Sequence, residues 1–126
     1  MSLVLVDTSV WIDYFSGKKT AGKLDSLIDE HLVCINKIII CELFPFLYVK
    51  KELELIDLLN AVPEIPLNIS WDKIIAYQTN ILENNYKRVG IPDLIILDNI
   101  IQNDLKLFSF DKPLLQLKNM MKFKVF

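Results

Sequence analysis

Four carboxylates stand where packing alone does not explain an acid. Asp7 directly follows the apolar run Leu3–Val6, and Asp111 directly follows Lys106–Phe110. Asp93 comes just after Pro92, and Glu42 lies inside the apolar stretch Ile38–Phe44. Each acid alone also fits an ordinary role. Asp7 suits a helix N-cap, Asp93 a helix dipole, Asp111 a turn, and Glu42 an exposed helix face. Jointly they suggest more, because three of them fall at strand or helix ends that a parallel sheet can bring to one rim. Clustered carboxylates repel one another, and burial makes each charge costlier. A hard divalent cation relieves both problems and accepts oxygen ligands. Two such ions, about 3.5–4 Å apart, stabilise the attacking and leaving oxygens of an in-line phosphoryl displacement. One of them also lowers the pKa of a water and supplies the nucleophile. The chemistry that fits is phosphodiester hydrolysis.

Composition narrows the alternatives. The 126 residues hold one histidine and two cysteines, too few for the common zinc sites. A Ser-His-Asp triad would have to use His31, and no G-x-S-x-G nucleophile elbow is present. His31 reads as a turn or surface residue. Cys34 and Cys41 read as small buried hydrophobes in a reducing compartment. Oxygen ligands therefore favour Mg²⁺, with Mn²⁺ as a substitute, over Zn²⁺. At 52% hydrophobic and 24% charged, the chain is not disordered, and residues 1–126 are expected to form a single domain. Its apolar runs are far too short for a membrane span, and its first residues carry no basic region or cleavage site. A cytoplasmic location is the expectation. The net charge of −2 excludes a protein that grips nucleic acid by bulk basicity.

The elements that must position these acids follow from periodicity. Leu3–Val6 and Leu32–Ile35 are short continuous apolar runs, expected as buried strands. Lys106–Phe110 is a third strand, and Phe123–Phe126 an edge strand. Pro63–Leu67 is expected as a short edge strand, since prolines are tolerated there. Helices are expected over Val10–Phe15, Thr20–Asp29, Asn36–Phe44, Leu53–Val62, Ser70–Tyr86 and Leu94–Asn103, with Pro45 kinking or restarting the third. In the second, Ala21, Leu24, Leu27 and Ile28 share one face. Between the last two strands a single helix is expected. Buried strands alternating with helices imply parallel pairing. The fold class is α/β, a three-layer α/β/α sandwich around a central, mainly parallel sheet.

The residues also resemble a known family. Val6-Asp7-Thr8-Ser9-Val10-Trp11-Ile12-Asp13, Ile40-Cys41-Glu42-Leu43, Pro92-Asp93-Leu94-Ile95-Ile96 and Ser109-Phe110-Asp111 are similar, in order and spacing, to the four acidic motifs of PIN-domain ribonucleases. Toxins of the VapBC toxin–antitoxin type match best. The resemblance covers nearly the whole chain. It implies a Mg²⁺-dependent endoribonuclease, usually dimeric and held inactive by a cognate antitoxin. By the same resemblance, Asp7 and Asp93 are the primary metal ligands, and Glu42 and Asp111 complete the acidic quartet. Ser9 and Ser109 match small hydroxyl residues that support the acids. Two residues depart from the family's pattern. Pro45 falls in a helix that is usually continuous, and Asn99 stands where many relatives have Thr or Ala.

Other charged residues sort around this site. Asp13 and Asp98 are read as structural. Leu105–Phe126 carries five lysines against Asp111 alone, whereas residues 1–104 carry nine bases and 15 acids. Lys112 and Lys118 in the first segment, with Lys87 and Arg88 before Asp93, are candidate RNA contacts. Three other readings remain on the sequence. One is a PIN-like module that binds without turnover, and another is an RNA-processing PIN nuclease that is not a toxin. The third is phosphotransfer on the sheet rim, which lacks the second acid that either a receiver domain or a haloacid-dehalogenase-type phosphatase would need.

Overall fold

The computed structural model describes residues 2–18 and 21–126. Its elements in chain order are β1 (Val4–Val6), α1 (Thr8–Phe15), α2 (Ala21–Asp29), β2 (Val33–Cys34), α3 (Lys37–Val49) and α4 (Leu53–Ala61). They continue as α5 (Trp71–Glu83), α6 (Ile91–Gln102), β3 (Lys106–Phe108), α7 (Lys112–Leu115), α8 (Lys118–Met121) and β4 (Lys124–Val125). The sheet order is β2-β1-β3-β4, and every described pair is parallel. Val4 registers with both Val33 and Lys106, so β1 is bonded on both sides. Its Val-Leu-Val sequence suits that place, since a central parallel strand has no face open to water. Helices cover both faces, giving the expected three-layer α/β/α sandwich. No helix among the described residues is long and apolar enough to cross a membrane.

Parallel pairing puts the carboxyl ends of β1, β2 and β3 on one edge. Asp7, Asn36 and Ser109 follow those strands and so share that edge. Trp11 locks the first turn of α1 against it. Its ring is fully buried, and its indole N–H donates to the Val6 carbonyl at 3.2 Å. The polar handle of the ring is thereby satisfied inside the core. Leu24 and Leu27 of α2 are buried and Ile28 half-buried, as the helical spacing predicted. The expected start of that helix at Thr20, and the side chain of Ala21, lie outside the described residues.

Several elements differ from expectation. Pro63–Leu67 is not a strand: it contributes only a parallel bridge between Glu64 and Ile35. Ile35 N–H donates to the Pro63 carbonyl, and Ile65 N–H donates to the Ile35 carbonyl at 2.7 Å. Two short helices, not one, connect β3 to β4. Helix α3 does not restart at Pro45 but runs on through it to Val49, past the expected end at Phe44. Cys41 is exposed, so only Cys34 is the buried hydrophobe expected. Pro92 is the second residue of α6, which begins at Ile91 after Gly90. Helix α5 stops at Glu83, with Asn85 in the left-handed region at φ 58°. The N–H of Tyr86 then bonds back to the Ile81 carbonyl at 3.1 Å, closing the helix end.

Candidate active site

Asp7 occupies the N-cap position of α1, yet its carboxylate caps nothing. It is buried, and its Oδ2 accepts from Ser109 Oγ at 2.8 Å and from Ser9 Oγ at 3.0 Å. The same hydroxyl oxygens accept backbone N–H groups in turn: Asp111 N–H on Ser109 Oγ at 3.0 Å, and Phe110 N–H on Ser9 Oγ at 3.1 Å. The backbone adds a further tie, Asp7 N–H to the Phe108 carbonyl at 2.9 Å. Two serines thus orient one oxygen of Asp7 and fix the loop that carries Asp111. No hydrogen bond among the described residues engages Asp7 Oδ1. No buried side-chain polar atom among them lacks a partner, so that oxygen faces the open rim.

Asp93 lies in the first turn of α6 and accepts the Gly90 N–H on Oδ2 at 2.9 Å. This is the acidic half of a capping box, and it holds the helix start in place. Part of the ordinary helix-end role is therefore present, with Oδ1 left over. Glu42 meets the site from α3, and Thr8 Oγ1 approaches its Oε1 at 3.5 Å. Asp111 is the N-cap residue of α7 and, like Asp7, makes no capping bond.

Glu42 and Asp93 each feel the charges of other acids at this edge. The Glu42 carboxyl is pushed above its ordinary value, first by lost hydration, then by the charges of Asp7 and Asp93; the Thr8 hydroxyl opposes this, and Asp111 adds to it. The residue as a whole remains exposed; the crowding is at its carboxyl. Asp93 is raised as well, first by lost hydration. The Gly90 N–H opposes that shift, and the charges of Asp111 and Asp7 reinforce it. No ion pair between described residues involves any of the four. Among the described residues the acids do not close into a three-ligand cage. What they provide is an all-oxygen donor set with uncompensated negative charge and free carboxylate oxygens. A hard divalent cation fits that chemistry.

The remaining sequence candidates are placed as follows. Asp13 pairs with Lys18 at 3.4 Å. Asp98 is buried, with Tyr77 Oη donating to Oδ1 and Gln102 Nε2 to Oδ2 at 2.6 Å. Both acids are occupied away from the rim. Lys87 and Arg88 lie exposed in the turn before α6, and Lys112 and Lys118 are exposed on α7 and α8. Gln116 Nε2 donates to the Lys87 carbonyl at 3.1 Å, so the Lys87–Arg88 turn rests against α7. Thr8 and Gly90 were not singled out on the sequence. Thr8 follows Asp7 directly, and Gly90 stands at capping-box spacing ahead of Asp93. Those two local signals could have found them.

An open parallel α/β sheet with acids along its carboxyl rim defines the class of domain. The PIN domain family model matches residues 4–119, and the chain belongs to the PIN-domain family. Solved structures agree on the fold. VapBC2 from Rickettsia felis, bound to a DNA fragment from their promoter, superposes with a TM-score of 0.71 at 14% identity, covering 98% of this chain and 97% of that one. FitAcB from Neisseria gonorrhoeae gives 0.65 at 20% identity, covering 98% and 96%. PAE2754 from Pyrobaculum aerophilum gives 0.62 at 15% identity, covering 96% and 88%. No curated protein matches the sequence.

Proposed function

We propose that this PIN domain is a divalent-metal-dependent endoribonuclease and the toxin of a type II toxin–antitoxin pair. The observation that carries the reading is Asp7: a buried carboxylate at an N-cap position that caps nothing and is held instead by two serines. PIN domains are generally nucleases, which supports the reaction class. Asp7 and Asp93 would be the primary metal ligands, each holding one oxygen in a protein hydrogen bond and presenting the other. Glu42 and Asp111 would complete the set from α3 and from the start of α7. Bound Mg²⁺, or Mn²⁺, would supply a water ionised near neutral pH and offset charge on the phosphodiester. The chain's own part is to fix the acids, to keep Asp7 oriented through Ser9 and Ser109, and to bind RNA phosphates through Lys112, Lys118, Lys87 and Arg88.

An antitoxin partner is proposed from the likeness to VapBC2, bound to DNA from their promoter. A homodimer is proposed as well. Of the apolar aromatic stretch at the end of α3, Phe44 and Leu47 are buried, while Phe46 and Tyr48 remain exposed. The test is RNA cleavage by the purified chain. Cleavage is expected to require Mg²⁺ or Mn²⁺ and to stop with EDTA. Loss of a partner that merely supports a metal ligand costs about 10–100-fold, so Asp7→Asn and Asp93→Asn are expected to cost more than ~100-fold with the circular dichroism unchanged. Cleavage that persists in both variants sinks the proposal.

A further inference from the structure

A polar chain crosses the apolar interior between α3 and α6. Asn36 is 0% exposed and Asn99 3%. Ile39 N–H donates to Asn36 Oδ1 at 3.1 Å, Asn36 Nδ2 donates to Asn99 Oδ1 at 3.0 Å, and Asn99 Nδ2 donates to the Pro66 carbonyl at 3.0 Å. The direction is forced from end to end. A helix N–H needs an oxygen, so Asn36 turns its amide nitrogen inward. Asn99 must then answer with oxygen, and its own nitrogen meets a carbonyl. Hydrogen bonds aligned head to tail polarise one another in a dry interior.

This chain joins the two helices that bring Glu42 and Asp93 to the rim. Asn36 caps α3, which carries Glu42, and Asn99 lies on α6, which carries Asp93. No backbone hydrogen bond joins these helices among the described residues. Apolar packing between them is non-directional and lets helices slide. The amide pair does not, because a small slip breaks bonds that no water can replace. Helix α6 is held on a second side by Asp98, through Tyr77 of α5 and through Gln102, which also reaches the Asn68 carbonyl.

We propose that the Asn36–Asn99 pair is a positioning device for the acidic rim. It fixes the separation of Glu42 and Asp93, and through that separation how tightly the rim holds a divalent cation. The second half rests on the metal-dependent reading above; the first does not.

The test uses the full chain and the double variant Asn36→Ser with Asn99→Ala. Serine keeps the N-cap acceptor, and removing both amides leaves neither buried without a partner. Two quantities are read: the Glu42–Asp93 carboxylate separation by crystallography, and the Mn²⁺ dissociation constant by electron paramagnetic resonance without RNA. The separation is expected to shift by more than about 0.5 Å, the tolerance of a working site. Mn²⁺ affinity is expected to fall roughly 10–100-fold, as it does when supporting partners are removed. Ile100→Val, an equally buried change on the same helix that touches no hydrogen bond, is expected to alter neither. Unchanged separation and affinity in the double variant overturn the proposal. If that variant fails to fold, Asn99→Leu takes its place, since it is of similar size and removes both amide bonds; unchanged values there overturn the proposal equally. A wild-type chain that takes up no Mn²⁺ strikes the metal-dependent reading instead, and the separation alone then decides the positioning role.

Discussion

Asp7 and Glu42 show opposite costs of placing a charge at the rim. Asp7 has two hydroxyl donors on one oxygen, whereas Glu42 has a single distant one and three acidic neighbours. Folding without metal therefore raises the Glu42 carboxyl above its ordinary value, first through lost hydration and then through the neighbouring acids. A carboxyl raised by folding contributes stability that is present below its unfolded pKa and is lost as pH rises through its folded value. Glu42→Gln should thus stabilise the metal-free protein at pH 7 and make little difference near pH 4. Solvent screening at this exposed residue holds the gain to about 0.5 kcal/mol, roughly 2 °C in Tm. Thermal melts at the two pH values check this, and equal Tm for variant and wild type at pH 7 would refute it. Ser109 is the other residue of consequence, since its hydroxyl serves Asp7 and the Asp111 N–H together. Ser109→Ala is expected to lower the cleavage rate at saturating Mg²⁺ by about 10–100-fold; a change of less than twofold would remove that role. Both serines were legible through the resemblance, because they stand in the short motifs that carry it. The Asn36–Asn99 bond was not, because it joins residues far apart in sequence.

At the level of elements, the long apolar runs were legible and their ends were not. Continuous Val-Leu-Val and the helical spacing around Leu94–Ile100 left little choice of structure. The ends depended on residues outside the usual signals. Helices α2, α3, α5 and α6 each close through a left-handed residue that is not glycine: His31, Lys51, Asn85 and Asp104. In a chain with three glycines, the commonest stop signal is absent from those positions. Pro45 does not end the helix. It sits inside α3 because apolar packing of Leu43, Phe44 and Leu47 outweighs the hydrogen bond it removes. The Cys41 carbonyl loses its helical donor there, but Cys41 is exposed and water can serve it. Pro45→Ala should therefore stabilise the protein by about 1–3 kcal/mol in urea unfolding while leaving RNA cleavage within a factor of two, since Glu42 precedes the proline. Lower stability in the variant would mean that the proline ring contributes packing that outweighs the restored hydrogen bond.

Over the whole molecule, charge is separated instead of balanced. The acids converge on the rim of the sheet, and the exposed lysines of α7 and α8 lie just beyond it in the chain. A near-neutral total therefore says little about a nucleic-acid partner. Lys112→Glu with Lys118→Glu is expected to weaken RNA binding and to flatten its salt dependence by about 0.7 in log–log slope for each phosphate of a single strand that is no longer neutralised. Mn²⁺ binding should stay as it was. An unchanged slope would place the RNA elsewhere. The sheet order carries a last consequence, one of timing. Asp7 is made at the start of synthesis, but its partner Ser109 lies 102 residues further along, and β1 is flanked by β3 from the same late segment. Contacts so distant in sequence form late and slowly. During translation the rim cannot assemble until residues 106–111 have left the ribosome, so a nascent chain carries its acids apart from one another.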